Sequence, residues 1–148
     1  MKIRYVSVLF MWLCLIPAIA SADDSAEKAA AAAAKSWLGQ IDAGNYGKSW
    51  NDASSYFQGA VTEKGWNDAL SGTRKPLGKL LSRKLGKAQN AKSLPGAPDG
   101  NYVVMQYDTN FSNKKNAVET VTFMQEKDGK WTHQESRCDN ALKGADPP

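Results

Sequence analysis

An apolar run occupies the amino terminus, and after it hydrophobic residues recur at a helical spacing. Apolar positions lie three and four residues apart in three successive segments, near Trp37, Trp50 and Trp66, and this is the spacing of one face of an α-helix. Gly44 is placed to end the first segment and Pro76 to end the third. We therefore predict about three amino-terminal helices, which bury these tryptophans in a common core.

After Pro76 the pattern becomes that of β-strands, because β-branched and aromatic residues alternate with polar ones. Asp128 and Gly129 separate the last two strand-like segments and are the preferred sequence of a two-residue hairpin turn. Such a turn would pair Met124 with His133. The four predicted strands are residues 79–94, 101–111, 116–126 and 130–138.

Helices followed by a run of antiparallel strands are typical of an α+β domain, in which the helices cover one face of the sheet. We predict about three helices packed on a four-stranded, curved antiparallel sheet. The loop from Pro95 to Gly100 joins the first two strands, and it lacks the glycine spacing of phosphate-binding loops. We interpret this loop as a rigid connector at the rim of the domain; the alternative is that it forms the mouth of a ligand site.

The amino terminus has the pattern of a signal peptide. Lys2 and Arg4 precede an apolar run that ends in small residues, Ala20 to Ala22. We predict cleavage after Ala22 and export, with the periplasm as the location and full secretion as the alternative. A retained membrane anchor is disfavoured because the run is short for a bilayer span.

Cleavage would leave 126 of the 148 residues, enough for one domain with one core. We predict a cleavable signal peptide over residues 1–22, a single α+β domain over residues 23–140 and a flexible tail over residues 141–148. Removal of Lys2 and Arg4 would lower the 19 bases to 17, against 15 acids.

Cys138 would be the one cysteine of the mature chain, so no intramolecular disulfide is expected. Its thiol is predicted to be buried and free, or else to join two chains in a disulfide-linked homodimer. Together with one histidine, His133, it supplies too few ligands for a tetrahedral zinc site. We predict no metal and no cofactor.

Bases are concentrated in residues 69–98, which contain no aspartate or glutamate. This basic run, from Arg74 to Lys92, could serve an anion-binding module for a phosphate-bearing envelope polymer or lipid. The alternative is a solvated strand edge, where lysines oppose aggregation. Export would leave no physiological role for nucleic acid. The candidate anion-binding residues are Lys79, Arg83, Lys84 and Lys87.

Catalysis has little support in the sequence. In the predicted hairpin, His133 and Glu135 share one face and could act as a base with its orienting carboxylate. We instead expect a solvent-facing histidine with an ordinary pKa, and we expect Ser49, Ser54 and Ser55 on helix surfaces. The chain is therefore predicted not to be an enzyme, with a small hydrolase or isomerase as the alternative.

Two strings, SLPGAPDGNYVV at residues 93–104 and NKKNAVETVT at residues 113–122, are specific to one family. Over residues 27–131 the chain resembles the secreted bacterial domain-of-unknown-function family 4019 (DUF4019). The chain departs from that family after Trp131, where polar residues replace an apolar and aromatic strand. The family has no catalytic residue that could be assigned here.

The resemblance implies an exported envelope protein without an assigned activity. The order of its elements is similar to the cone-shaped NTF2-like and cystatin-like folds, which often enclose a small pocket. By that likeness we expect a non-enzymatic binding or structural domain, whose partner would be a small ligand or a segment of an envelope protein. The candidate pocket residues are Tyr102, Tyr107, Phe111 and Phe123.

Overall fold

The structure is a computed structural model that describes residues 22–134. Four helices precede four strands, and the strands form one curved antiparallel sheet in the order β1-β2-β3-β4. The predicted α+β class and antiparallel sheet are confirmed. The elements are α1 (Ala22–Asp42), α2 (Tyr46–Asn51), α3 (Ser55–Ala60), α4 (Glu63–Leu77), β1 (Leu80–Ala91), β2 (Tyr102–Phe111), β3 (Ala117–Gln125) and β4 (Trp131–His133).

Several predicted features lie outside the described residues. They are nearly all of the signal peptide, the carboxyl-terminal tail, Glu135 and Cys138. No helix within residues 22–134 has both the length and the apolar character needed to span a membrane.

Helix α1 packs along the sheet through one apolar face. Ala30 and Ala34 are completely buried, and Trp37, Leu38 and Ile41 continue the same face. Alanine favours the helix and leaves room for close packing, because it has no side chain beyond Cβ. One face of the alanine-rich segment is therefore part of the core.

Gly44 ends α1, as predicted. Its φ of 79° lies in the left-handed region that glycine adopts without strain. The Gly44 amide donates to the Ile41 carbonyl (3.0 Å), and the Asn45 amide donates to the Gln40 carbonyl (2.8 Å). These two bonds satisfy carbonyls at the end of the helix and turn the chain towards α2.

The predicted second helix is two helices, α2 and α3. Ser54 begins the second of them, because its hydroxyl accepts a hydrogen bond from the Phe57 amide (3.1 Å). Ala53 forms a parallel bridge with His133, and the Ser54 amide donates to the His133 carbonyl (2.8 Å). The α2–α3 connection is thus tied to the last strand, and the prediction of one continuous helix was wrong here.

Helix α4 begins at the cap that Thr62 provides, where the threonine hydroxyl accepts from the Gly65 amide (3.1 Å). The helix continues through Pro76 and ends at Leu77, one residue beyond the predicted stop. Gly78, with φ of 77°, then redirects the chain into β1.

The β3–β4 hairpin has a three-residue loop in place of the predicted two-residue turn. The Gly129 amide donates to the Glu126 carbonyl (2.9 Å), and the Glu126 amide donates to the Lys130 carbonyl (2.7 Å). Gly129 has a φ of 85°, as expected for a turn followed by a bulge. His133 therefore pairs with Phe123, so the predicted pairing with Met124 was wrong.

This one-residue difference changes the face on which His133 lies. Successive side chains of a strand point to opposite faces, so a shift of one residue moves a side chain to the other face. Phe123 belongs to the face covered by the helices. His133 therefore lies in the core.

Candidate functional site

An aromatic cluster fills the space between the helices and the middle of the sheet. His133 is completely buried and stacks on Trp37, with ring centroids 3.8 Å apart and planes 11° apart. Phe57, Trp66 and Phe123 surround it, with ring centroids 5.0, 5.9 and 5.8 Å from that of the imidazole. The prediction that His133 faces solvent was wrong, because the hairpin loop is one residue longer than expected.

Burial determines the protonation of His133. Removal from water disfavours the imidazolium and lowers the pKa of His133 to about 3. The ring is therefore neutral near pH 7. In this conformation it contacts aromatic side chains and has no access to a substrate.

Ser49 and Ser54 are also buried, so their predicted positions on helix surfaces were wrong. The Trp66 indole donates to the Ser49 hydroxyl (2.9 Å), and the Trp37 indole donates to the Ser49 carbonyl (2.7 Å). The Ser54 hydroxyl donates to the Gln134 side-chain oxygen (2.8 Å). Both serines satisfy buried polar groups of the core. Ser55 is exposed, as predicted.

The four aromatic residues predicted to line a pocket are all buried, and the structure does not bring them together in one cavity. Tyr102 lies at one end of the sheet, beside the first turns of α1. Phe111 lies at the opposite end. Phe123 belongs to the aromatic cluster, and the Tyr107 hydroxyl is 3.6 Å from the sulfur of Met105.

The four candidate anion-binding residues are likewise separated. Arg83 lies on the helix-covered face of the sheet, where Asp42 and Glu119 bind its guanidinium. Lys84 lies opposite Asp108, on the outer face, and Lys87 follows the irregularity that interrupts β1 after Leu85. Lys79 belongs to the connection between α4 and β1. The structure therefore shows no single stripe formed by these four bases.

An ion cluster, defined here as Asp42, Arg74, Arg83 and Glu119, joins α1, α4, β1 and β3. Arg83 donates to Glu119 through Nε (2.6 Å) and to Asp42 through Nη1 (2.6 Å). Arg74 Nη2 lies 2.7 Å from Glu119 Oε1, and the Thr109 hydroxyl donates to Glu119 Oε2 (2.7 Å). These contacts tie the carboxyl end of α1 to the sheet.

The charges of the ion cluster are mutually dependent. Burial would raise the pKa of Glu119, but hydrogen bonds from Arg83 and the charge of Arg74 hold it below its ordinary value. Burial would lower the pKa of Arg83, but its bonds to Asp42 and Glu119 raise it. Glu119 and Arg83 are therefore both charged near pH 7.

Open clefts lie at both ends of the sheet, beyond the filled middle. The amino-end cleft, beside the first turns of α1, has a volume of about 560 Å³. The carboxyl-end cleft, between the carboxyl ends of α1 and α4, has a volume of about 510 Å³. Both volumes fall in the range of small-molecule sites, roughly 300–1,000 Å³.

The floor of the amino-end cleft carries a hydrogen-bonded row of polar groups. The Lys92 amine donates to the Asn101 side-chain oxygen (2.6 Å), and the Asn101 amide donates to the Gln125 side-chain oxygen (3.1 Å). The Gln125 amide reaches the Gly129 carbonyl at 3.4 Å. Half-buried Trp131 lines the same cleft. Asn101 and Gln125 have no signal in the sequence, because isolated amides at strand ends have no distinctive spacing.

The loop from Pro95 to Gly100 borders neither of these clefts. The hydroxyls of Tyr56 and Tyr102 donate to the carbonyls of Gly96 and Pro98. The Gly100 amide also donates to the Lys92 carbonyl (2.9 Å). These hydrogen bonds hold the loop to the body of the domain.

Within residues 22–134, no three side chains of histidine, cysteine, aspartate or glutamate come together as a metal site would require. No curated protein matches the sequence. The family model described as a protein of unknown function, DUF4019, matches residues 33–134, from the middle of α1 to the residue after β4. The chain therefore belongs to the DUF4019 family.

Proposed function

We propose that this protein is exported to the periplasm, where it acts as a non-enzymatic binding domain for a hydroxyl-rich ligand such as an envelope saccharide. The proposed site is the amino-end cleft. The observation that carries the proposal is the hydrogen-bonded row Lys92–Asn101–Gln125 beside Trp131. Export is supported by the amino-terminal sequence pattern.

The polar row offers donors and acceptors in fixed positions. An amide group has two N–H donors and two acceptor lone pairs, and an ammonium group has three donors. Each side chain of the row uses only part of this capacity within the row. The bonds along the row already hold these side chains in place. Ligand binding would therefore cost less side-chain entropy.

Trp131 supplies the apolar complement. The indole is large and flat, and one face can contact the C–H face of a sugar ring while the polar row contacts its hydroxyls. Asp23, at the amino end of α1, also borders the cleft. Cleavage after Ala22 would make Asp23 the first residue of the mature chain, so the proposed site requires no part of the signal peptide.

The test is a titration of the mature chain, beginning at Asp23, with chitobiose and with maltose, followed by amide NMR. We expect at least one disaccharide to shift the signals of residues 101, 125 and 131. The double substitution Asn101→Ala and Gln125→Ala should weaken that binding about thirtyfold, because two hydrogen bonds of roughly 1 kcal/mol each are affected.

The matched control replaces two exposed residues of the outer face, Gln89→Ala and Gln106→Ala, and should leave the affinity unchanged. The proposal fails if neither disaccharide shifts these signals. It also fails if the control pair weakens binding as much as the cleft pair does. Shifts produced by a peptide of an envelope protein, and by neither sugar, would assign the cleft to a protein partner.

A further inference from the structure

The carboxyl-end cleft is a second cavity, and it shares no lining residue with the amino-end cleft. The end of α1, the end of α4 and the start of β1 form its walls. Arg74, Lys75 and Lys79 line it together with Phe111 and Leu80. Its lining is thus cationic on one side and apolar on the other.

The acids of the ion cluster are already bound by Arg83. Both oxygens of Asp42 accept from Arg83, at 2.6 and 3.0 Å. Both oxygens of Glu119 also accept from Arg83, at 2.6 and 3.1 Å. Arg74 contacts Glu119 through its Nη2 atom, at 2.7 Å.

The other terminal nitrogen of Arg74 has no hydrogen-bond partner within the described part of the chain, although it is buried. An oxygen of the Asp42 carboxylate is 3.7 Å away, which is too long for a hydrogen bond. A buried guanidinium donor without an acceptor is unfavourable. An anion in the cleft would supply the missing acceptor.

Two lysines strengthen the positive potential at this cleft. Lys75 and Lys79 are exposed, and neither lies within ion-pair distance of a carboxylate among residues 22–134. The ion cluster contains two bases and two acids, so the lysines add two positive charges that nothing in the described chain balances. Charges of one sign along a cleft raise the local concentration of the opposite ion.

The remaining walls suit an apolar group. The Arg74 guanidinium lies over the Phe111 ring, 5.4 Å from the ring centroid, and Tyr46 and Leu80 complete this side. Cation–π contact holds the guanidinium plane in place. An inorganic ion alone would leave these apolar walls in contact with water.

We infer that the carboxyl-end cleft binds an organic anion, in which a phosphate or carboxylate is attached to an apolar group about the size of one aromatic ring. The anionic group would accept from Arg74 Nη1 and from Lys75 and Lys79. The apolar group would contact Phe111 and Leu80. This site does not depend on saccharide binding at the other end of the sheet.

The test uses phenyl phosphate as the probe and benzyl alcohol as its neutral counterpart, with amide NMR of the mature chain. Phenyl phosphate should shift the signals of residues 74, 75, 77–80 and 111 and should bind at least tenfold more tightly than benzyl alcohol. The double substitution Lys75→Gln and Lys79→Gln should weaken phenyl phosphate binding about tenfold.

Lys84→Gln with Lys87→Gln is the matched control, since it removes the same charge from the outer face of the sheet. Equal weakening by the two pairs would overturn the inference, because general charge attraction would then account for binding. Absence of shifts at residues 74, 75, 77–80 and 111 would overturn it as well.

Such an anion could be a lipid headgroup or a free organic anion. Cosedimentation with vesicles containing phosphatidylglycerol distinguishes the two. Cosedimentation that the Lys75 and Lys79 substitutions abolish would identify a lipid headgroup as the ligand. Binding of phenyl phosphate without cosedimentation would identify a free organic anion. Cosedimentation that both lysine pairs reduce equally would count against the site.

Discussion

His133 and Glu119 are both buried polar residues on the helix-covered side of the sheet, but their surroundings differ completely. His133 lies among aromatic rings and is neutral, because burial away from water lowers the pKa of its imidazole. Glu119 lies between Arg74 and Arg83 and is charged, because their guanidinium groups replace the lost water. One position is stabilised by packing and the other by charge pairing.

This difference predicts how the stability of each region responds to substitution. The aromatic cluster contains only a few polar atoms and should tolerate an apolar replacement of similar shape. The ion cluster should not tolerate loss of one partner, since the remaining charges would stay buried. Measurements of stability can test this contrast.

Loss of Glu119 should have the largest effect. Glu119→Ala removes the carboxylate that both Arg74 and Arg83 bind, and breaking a buried pair in this way costs about 3–5 kcal/mol of unfolding free energy. Urea denaturation measures the change. Lys64→Ala is the control, because it breaks the exposed pair with Asp68 and should produce no measurable change. A loss of under about 1 kcal/mol in Glu119→Ala would contradict charge pairing as the basis of this region.

Acid should destabilise the fold through His133, the single histidine of the chain. The unfolded chain binds a proton below the ordinary pKa of 6.5, and the folded chain does so only near pH 3. The unfolding free energy should therefore fall as pH falls, by about 2 kcal/mol between pH 7.5 and 5.0. This window lies above the titration of Glu119, whose pKa is lowered.

His133→Phe provides the comparison, because it keeps an aromatic ring in the cluster and removes the titrating group. Its unfolding free energy should be nearly constant over the same pH range. A variant with the same pH dependence as the natural chain would show that His133 does not cause the loss.

Ser49→Ala should have the smallest effect of the three. The substitution leaves the buried Trp66 indole N–H without the hydroxyl that accepts from it, which costs about 1–2 kcal/mol. Ser36→Ala, on the exposed side of α1, should leave the unfolding free energy unchanged. An equal result for both serines would show that the Trp66 indole finds another acceptor.

The order of elements could be predicted because helical and strand spacings differ strongly on either side of Pro76. The burial of Glu119 could also be predicted from the sequence. It alternates with Ala117, Val121 and Phe123, and these residues form one face of β3. A buried acid there needs a basic partner. The sequence cannot identify Arg83 as that partner, because irregularities in β1 pairing decide which bases reach the helix-covered face.

The face of the sheet on which His133 lies was predicted wrongly for a related reason. Asp128 and Gly129 correctly indicate a hairpin, but this pair is compatible with loops of two and three residues. The difference of one residue decides between solvent and core. Local sequence thus predicts that a turn exists, whereas packing against Trp37 and Phe57 selects its length.

The contact between the α2–α3 connection and the last strand has a consequence for the order of folding. The hydrogen bond from Ser54 to Gln134 joins residues 80 positions apart, so it closes one of the longest loops in the domain. Loop closure of this kind is slow unless intervening elements are already formed. We expect the hairpins of the sheet to form first and His133 to enter the aromatic cluster last. A chain that emerges from its amino terminus during synthesis would keep Trp37 and Trp66 partly exposed until His133 has emerged.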